Sequence, residues 1–144
     1  MMSKALQPVT KLVIKLFCMR KQVGSGSSWE DIVGYSRAVR VGNIIEVAGT
    51  TAMDRDVLIG KDDVYVQTKF ILQKIEKALL QLGGSLNDVV RTRTFVTDIS
   101  KWEIIGKAHG EVFKNIKPVA TMVEVKQLIS KDLLIEIEVT AIIE

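Results

Sequence analysis

The chain has 144 residues, 47% of them hydrophobic, which suits one globular domain with an ordinary core, and no apolar run is long enough to span a membrane. Its formal net charge of +3 becomes −2 over residues 30–144, because five of the 20 basic side chains and none of the 17 acidic ones precede Glu30; this balance argues against nucleic acid as a partner. The single cysteine, Cys18, excludes an internal disulfide and fits a reducing compartment such as the cytoplasm.

We expect residues 1–23 to be an N-terminal extension and residues 24–144 to be the folded domain. The first 18 residues are basic, free of acids and partly apolar, a composition typical of an organelle-targeting segment. Lys15 interrupts the apolar run and no small-residue cleavage site follows, so a secretory signal is not expected. The interpretation that we favour starts the protein at Met19 and places it in the cytoplasm, with organelle targeting as the alternative.

The first predicted elements form a hairpin, which follows a polar stretch of glycine and serine at 24–28. Residues 36–41 and 44–47 read as two strands around a Gly-Asn turn at 42–43, and a two-residue turn of this kind needs a positive φ. The small residues at 49–52 end the second strand.

Two amphipathic helices are predicted in the middle of the chain. Residues 63–82 carry apolar side chains at three- and four-residue steps and are followed by two glycines, which stop a helix. Residues 101–113 repeat this spacing after Asp98 or Ser100, either of which can cap a helix N-terminus. Between the helices, the alternation of residues 89–96 predicts a strand.

Two further alternating segments, at 119–125 and 133–141, complete the set. The loop between them is too short for a crossover helix, so we expect the two strands to pair as a hairpin. Strands and helices in this order predict an α+β fold, in which two helices cover one face of a mixed sheet.

The other face of that sheet is expected to be bare. Glu136 and Glu138 alternate with the apolar residues of the last strand and so point away from the core, as Arg91 and Arg93 do on the earlier strand. An open face that is partly polar and partly apolar typically associates with copies of itself, although a solvated strand face fits the pattern equally well.

The chemistry-bearing side chains offer no ready-made catalytic motif. One histidine and one cysteine, far apart, cannot build a metal site, and we expect neither a metal nor a cofactor. His109 shares the apolar stripe of the second helix with Trp102, where a packed structural histidine is more common than a general base. Arg91 and Arg93 are able either to clamp a carboxylate or to pair with carboxylates of the sheet. Tyr35, just before a strand, is open to interpretation as a core, rim or ligand-contacting residue.

A series of short motifs runs along the chain in a fixed order: Gly34-Tyr35-Ser36-Arg37-Ala38-Val39, Gly42-Asn43, Ala48-Gly49-Thr50, Gly83-Gly84, Asp88-Val89-Val90, Phe95-Val96-Thr97-Asp98, Pro118, Val123-Glu124-Val125 and Ile135-Glu136-Ile137-Glu138. Together they resemble the Rid family (reactive intermediate deaminases), from about Ser25 to Glu144. The resemblance implies a chorismate-mutase-like fold and a homotrimer whose sheets line a central barrel, with ligand clefts between the subunits. The best-known activity of the family is hydrolysis of enamine or imine intermediates, such as 2-aminoacrylate, to 2-keto acids and ammonia.

The resemblance also implies roles for individual residues. Tyr35 matches a tyrosine that lines the family's cleft, and Glu136 matches the glutamate thought to hold or polarise the attacking water. The family's deaminases carry a substrate-binding arginine two residues after a proline, where this chain has Ala120. The next two positions, often serine and cysteine, are Thr121 and Met122. The chain therefore resembles a divergent branch of the family.

Two functions stay open at this point. The first is an enzyme that hydrolyses a small imine, enamine or related metabolite, with Glu136 orienting water and Arg93 or Arg91 binding an anion. The alternative is a non-catalytic trimer whose clefts bind a small ligand or a partner protein. Neither nucleic acid nor a membrane is expected as a partner.

Overall fold

The computed structural model describes residues 19–144, so the predictions made for residues 1–18 lie outside the described residues. Within this range the elements in chain order are β1 Lys21–Val23, α1 Ser28–Val33, β2 Ala38–Val41, β3 Ile44–Thr50, β4 Met53–Asp54, β5 Val57–Leu58, α2 Val64–Gln81, β6 Val89–Val96, α3 Trp102–Phe113, β7 Val119–Glu124 and β8 Ile135–Ile142. Two short 3₁₀ turns, Leu86–Asp88 and Ile99–Lys101, precede β6 and α3. No helix in this range is both long and apolar enough to cross a bilayer.

Six strands form one mixed sheet in the spatial order β1-β2-β3-β8-β6-β7. Neighbouring strands are antiparallel except β6 and β7, which run parallel because α3 carries the chain back along the sheet between them. The short strands β4 and β5 form a separate two-stranded ribbon. The predicted α+β class and mixed sheet are confirmed.

The core lies between the sheet and helices α2 and α3. On β8, Ile135 and Ile137 are fully buried, and they belong to one apolar cluster with Ile75 of α2. The residues that alternate with them, Glu136 and Glu138, are half-buried on the opposite face. The period-two pattern of β8 thus separates its apolar residues from its carboxylates, as predicted.

Local sequence signals explain several boundaries. The side chain of Asp63 accepts a hydrogen bond from the backbone N–H of Val66 at 3.0 Å and caps α2. Beyond the other end of α2, Gly83 adopts φ 80°, a left-handed conformation that glycine tolerates best. Gly42 has φ 62° in the turn between β2 and β3, which confirms the predicted hairpin. The bounds predicted for α2 and β6 agree with the structure to within one residue.

The predicted pairing of the last two strands is wrong. β6 lies between β7 and β8, parallel to the former and antiparallel to the latter. The ten residues from 125 to 134 suffice for this connection, because passing across one strand takes only about 10 Å. β6 thereby gains a partner on each side, and β7 becomes an edge strand.

Other expectations also need correction. β1 pairs with β2, so residues 21–23, which we assigned to the N-terminal extension, belong to the sheet. Residues 28–33 form α1, a helix that was not predicted, because six residues with no buried side chain give too little periodicity. The apolar stripe of α3 begins one turn later than expected, at Ile105, and Trp102 at the first helical position is 57% exposed.

Candidate active site on the open face of the sheet

The face of the sheet opposite α2 and α3 carries charged side chains from its three central strands. β3 contributes Glu46, β8 contributes Glu136 and Glu138, and β6 contributes Arg91 and Arg93. A groove of about 240 Å³ crosses the middle of this face, and all of these side chains except Glu136 line it. Glu136 stands outside the groove, near the bulged end of β3.

Cross-strand contacts bind both of the acidic side chains that line the groove. Arg93 Nη1 donates to Glu138 Oε1 at 2.6 Å, and these two residues are register partners on β6 and β8. The Thr140 hydroxyl donates to Glu46 Oε2 at 2.8 Å, again between register partners. Of the two roles open to Arg93, the structure shows pairing with a sheet carboxylate, and this carboxylate is Glu138 rather than Glu136.

Glu136 lies in a different environment. Its register partner on β6 is Phe95, which has no charge or hydrogen-bond donor to offer. The Glu136 side chain is half-buried and accepts no hydrogen bond from any residue between 19 and 144. Burial raises the pKa of the Glu136 carboxyl, the positive charge of Arg37 opposes this rise, and the negative charge of Glu138 adds to it.

A bulge in β3 makes room for the Glu136 carboxylate. The register between β3 and β8 shifts between Val47 and Thr50, and Gly49 lies within this shift. A Cβ atom at position 49 would stand 2.9 Å from Cδ of Glu136 and closer still to Oε1. Glycine is therefore the residue that lets the carboxylate rest directly on the β3 backbone.

Arg37, which lies directly before the neighbouring strand β2, binds the bulge through three hydrogen bonds. Its Nη1 donates to the carbonyl of Gly49 at 2.8 Å, to Thr50 Oγ1 at 2.9 Å and to the carbonyl of Ala48 at 3.4 Å. Its guanidinium carbon lies 6.0 Å from the ring centroid of Tyr35, at the outer limit of a cation–π contact. Tyr35, Arg37, Gly49 and Glu136 thus form one corner of the open face, which we call the Glu136 corner.

Sequence reasoning brought Tyr35 and Glu136 into the site but missed Arg37. The usable signal was its position within the Gly34 to Val39 motif, two residues after the tyrosine and directly before β2. What this corner offers chemically is a half-buried carboxylate, free of direct partners within the described residues, beside one fixed positive charge. A carboxylate of that kind is suited to accept a proton from water.

Residues 26–143 match the model of the Endoribonuclease L-PSP family. The chain belongs to the Rid (YjgF) family. The crystal structure of Rv2704 from Mycobacterium tuberculosis, described as a member of the YjgF/YER057c/UK114 family, superposes with a TM-score of 0.80 at 50% identity, over 87% of this chain and all of that one. The chorismate-mutase-like fold implied by the resemblance is therefore confirmed.

Two relatives in other organisms agree with this placement in the Rid family. SCO2049 of Streptomyces coelicolor is 37% identical over 121 residues, which cover 84% of this chain and 90% of the relative. A protein of Acinetobacter baylyi named 3-aminoacrylate deaminase RutC is 32% identical over 104 residues, which cover 72% of this chain and 82% of the relative.

The other positions that the Rid resemblance singled out lie on β7, away from Glu136. Ala120 and Met122 are register partners of Thr92 and Thr94, which are buried beneath the helices, so these two residues face the helix side of the sheet. Thr121 is the partner of Arg93 and faces the open side. Arg93 and Ala120 therefore lie on opposite faces, and within one chain Arg93 does not reach the place of the family's arginine. Two strands lie between β7 and the Glu136 corner on β3, so one chain does not gather all predicted site residues.

His109 lies in the helix layer, on the side of the sheet away from Glu136. Its Nε2 is 3.0 Å from Thr92 Oγ1, and its ring centroid is 4.6 Å from that of Phe113. Burial lowers the pKa of His109, so the neutral form is favoured there. Within residues 19–144, no group of three histidine, cysteine or acidic side chains is placed to hold a metal ion.

Proposed function

We propose that the protein hydrolyses a small imine or enamine-type metabolite, with Glu136 as the general base that orients and deprotonates the attacking water. The observation that carries this proposal is the environment of Glu136: a half-buried carboxylate on the β3 bulge, without a hydrogen-bond partner among residues 19–144. Membership of the Rid family and the name of the Acinetobacter baylyi relative support the same reaction class.

The reaction balances around a single carboxyl group. Glu136 takes a proton from water as the oxygen attacks the C=N carbon, and it passes that proton to the nitrogen, which receives the electron pair of the C=N bond and becomes the amine of a carbinolamine. Glu136 then takes the hydroxyl proton of the carbinolamine as the carbonyl group forms and passes it to the nitrogen, so that the C–N bond breaks and ammonia leaves. A raised carboxyl pKa suits both halves of this cycle, because the group must first accept and then donate a proton near neutral pH.

The site is completed in a homotrimer. Exposed apolar side chains lie on the open face, among them Ile44 of β3 and Val119 and Val123 of the edge strand β7, and such a face is suited to association with other copies. In this assembly the edge strand β7 of one copy, which carries Ala120, Thr121 and Met122, meets the Glu136 corner of its neighbour across a ligand cleft. Light scattering after size exclusion is expected to give the mass of three chains, and a monomer at micromolar concentration contradicts the shared cleft.

The substrate is expected to differ from that of arginine-bearing relatives. A charged hydrogen bond to a carboxylate contributes about 1.5–3 kcal/mol, and Ala120 supplies none. Arg93 is already paired with Glu138, on the opposite face of the sheet from Ala120. We therefore expect turnover of 2-aminoacrylate and other 2-imino acids to be lower by roughly one to several powers of ten than in an arginine-bearing relative.

The test is ammonia release from imines that an amino-acid oxidase generates, measured for wild type, Glu136→Gln, Glu138→Gln and Ala120→Arg. Removing a general base lowers the rate by about 10²–10⁴-fold, so Glu136→Gln is expected to lose this activity. Glu138→Gln, a change of the same kind two residues away, is expected to keep most of it. Ala120→Arg is expected to raise turnover of 2-imino acids, and equal activity of Glu136→Gln and wild type rules out the assigned role of Glu136.

The absence of an arginine at position 120 also favours a second candidate, a trimer that binds a small metabolite without turning it over. This function predicts that all four proteins are inert toward imines while the cleft still binds a ligand. Calorimetric titration of wild type and Glu136→Gln with 2-keto acids, the products of imine hydrolysis, distinguishes it from an inactive preparation.

A further inference from the structure

Two cationic side chains bind backbone carbonyls at the end of β3 and in the loop that follows it. Arg37 binds the carbonyls of Ala48 and Gly49. Lys74 of α2 donates to the carbonyls of Thr51 at 3.0 Å and Met53 at 2.6 Å. Four carbonyl groups within six residues therefore receive charged donors, which form stronger hydrogen bonds than neutral ones.

We propose that Arg37 is a positioning residue for Glu136, since its guanidinium fixes the bulge on which the carboxylate rests and supplies the positive charge beside it. This inference rests on the proposed function of Glu136. The geometric half of the proposal follows from the contacts: Nη1 of Arg37 holds the Gly49 carbonyl at 2.8 Å, and Gly49 is the residue over which the Glu136 carboxylate lies. Thr50 completes the arrangement, because its hydroxyl accepts from Arg37 and donates to the Ala48 carbonyl at 2.8 Å.

The electrostatic half of the proposal rests on a donor of Arg37 that makes no hydrogen bond to the bulge. Nε of Arg37 is buried and has no hydrogen-bond partner among residues 19–144. Leaving a buried donor unpaired is unfavourable, so hydrogen bonding to the bulge alone does not account for a guanidinium at this place. The presence of a full guanidinium at this place therefore indicates that its charge has a use, and Glu136 is an acid whose ionised form it favours.

Other charged groups face this pair from the surrounding elements. Glu138 on β8 disfavours ionisation of Glu136, and Arg37 lies within Coulombic reach of Glu30 on α1 and Lys74 on α2. Burial lowers the pKa of Lys74, and the charge of Arg37 lowers it further. Lys74 is therefore a suitable control cation, because it holds the loop but neither of the carbonyls of the bulge itself.

The test uses the full-length chain with ¹³C-labelled glutamate side chains, and follows the Glu136 carboxyl by NMR as a function of pH. The resonance is assigned by its loss in Glu136→Gln. Arg37→Gln removes the charge and is expected to move the titration of Glu136 to higher pH by roughly half a pH unit or more. Arg37→Lys keeps the charge and is expected to titrate close to wild type, while Lys74→Gln is expected to leave the titration nearly unchanged.

Ammonia release from imines provides the second readout. In Arg37→Gln the acid limb of the pH–rate profile is expected to move with the NMR titration. In Arg37→Lys kcat is expected to fall with little change in KM, because the shorter lysine side chain does not place its amine where Nη1 of Arg37 binds the bulge. An unchanged Glu136 titration in Arg37→Gln overturns the electrostatic half, and an unchanged kcat in Arg37→Lys overturns the geometric half. If no variant is active on imines, the NMR titration still decides the inference, so its failure is distinct from failure of the proposed function.

Discussion

Glu136 and Glu138 lie two residues apart on β8 and face the same side of the sheet, but they occupy opposite electrostatic environments. Glu138 has Arg93 as its cross-strand neighbour and pairs with it at 2.6 Å. Glu136 has Phe95 as its neighbour, lies over the β3 bulge and feels Arg37 only at a distance. On an open sheet face, the cross-strand neighbour therefore decides whether a carboxylate is neutralised or left available for chemistry.

The most disruptive way to break this difference is to fill the space under Glu136. Gly49→Ala places a Cβ 2.9 Å from Cδ of Glu136, so the carboxylate must leave the bulge. We expect the rate of imine hydrolysis to fall by about 100-fold or more, because displacement of a general base forfeits most of its effect. Steady-state ammonia release measures this loss.

Gly106→Ala on α3 is the matched control, since a Cβ there meets no atom within 4 Å. It is expected to keep full activity. In a Glu136→Ala background, where the clashing carboxylate is gone, Gly49→Ala is expected to cost little thermal stability. A large loss of stability in that background contradicts the clash as the cause.

A second way is to give Glu136 the kind of neighbour that Glu138 has. Phe95→Arg places a guanidinium on β6 directly across from Glu136. We expect the pKa of Glu136 to fall and imine hydrolysis to drop by roughly tenfold, because an ion-paired carboxylate is a weaker base. The carboxyl titration and the ammonia assay together check this, and a fall in activity without a fall in the Glu136 pKa would point to lost packing of Phe95 instead.

The difference between Glu136 and Glu138 is also expected to affect thermal stability. The folded-state pKa of Glu136 is raised above its ordinary value of 4.5. The contribution of this carboxyl group to the free energy of unfolding is therefore favourable below that value and is lost as the pH rises through the folded-state pKa. Glu136→Gln is neutral throughout, so we expect its melting temperature to exceed that of wild type by roughly 1–3 °C at about pH 7 and by nothing at about pH 4. Circular dichroism melts over this pH range measure the effect.

Glu138→Gln is the comparison for that experiment. It gives up the contact with Arg93, so no gain near neutral pH is expected. A stabilisation of equal size in both variants would show that the open face responds to total negative charge and not to the burial of Glu136.

The smallest effect is expected for the partner of Glu138. Arg93→Ala breaks an ion pair whose side chains are 49% and 32% exposed. Solvent screens such a pair, so we expect the melting temperature to change by no more than about 1 °C and the activity to stay near that of wild type. A strong loss of activity in a stable Arg93→Ala variant would show that Arg93 binds the substrate.

The features that could be predicted are those that depend on residues close together in the sequence. Alternation on β8 places Glu136 on the face away from Ile135 and Ile137, and the apolar spacing with the two glycines that follow it predicts the bounds of α2 to within one residue. The position of β6 between β7 and β8 could not be predicted from the sequences of these strands, because strand pairing depends on residues far apart in the chain. The loop between β7 and β8 is long enough either for a hairpin or for a connection across β6.

The site follows the same rule. The face of Glu136 was predictable, but its environment depends on which residue stands opposite on β6 and on a bulge in β3. The predicted hairpin brings residue 37 opposite residue 48, but the contact of Arg37 with the carbonyls of Ala48 and Gly49 also depends on the bulge in β3, which no sequence pattern indicates. That contact exists only once β2 and β3 have folded onto each other.

The place of β8 in the sheet has a consequence for biosynthesis. β8 is made after the other five strands of its sheet but lies between β3 and β6, and so joins the β1-β2-β3 segment to the β6-β7 pair. A nascent chain that has not yet reached Ile135 holds two separate sheet fragments with unpaired inner edges, and such edges invite misassembly. Cooperative folding of this sheet must therefore wait until β8 has left the ribosome. Any shortened chain that stops before Ile135 is expected to be degraded or to aggregate instead of accumulating as a smaller folded domain.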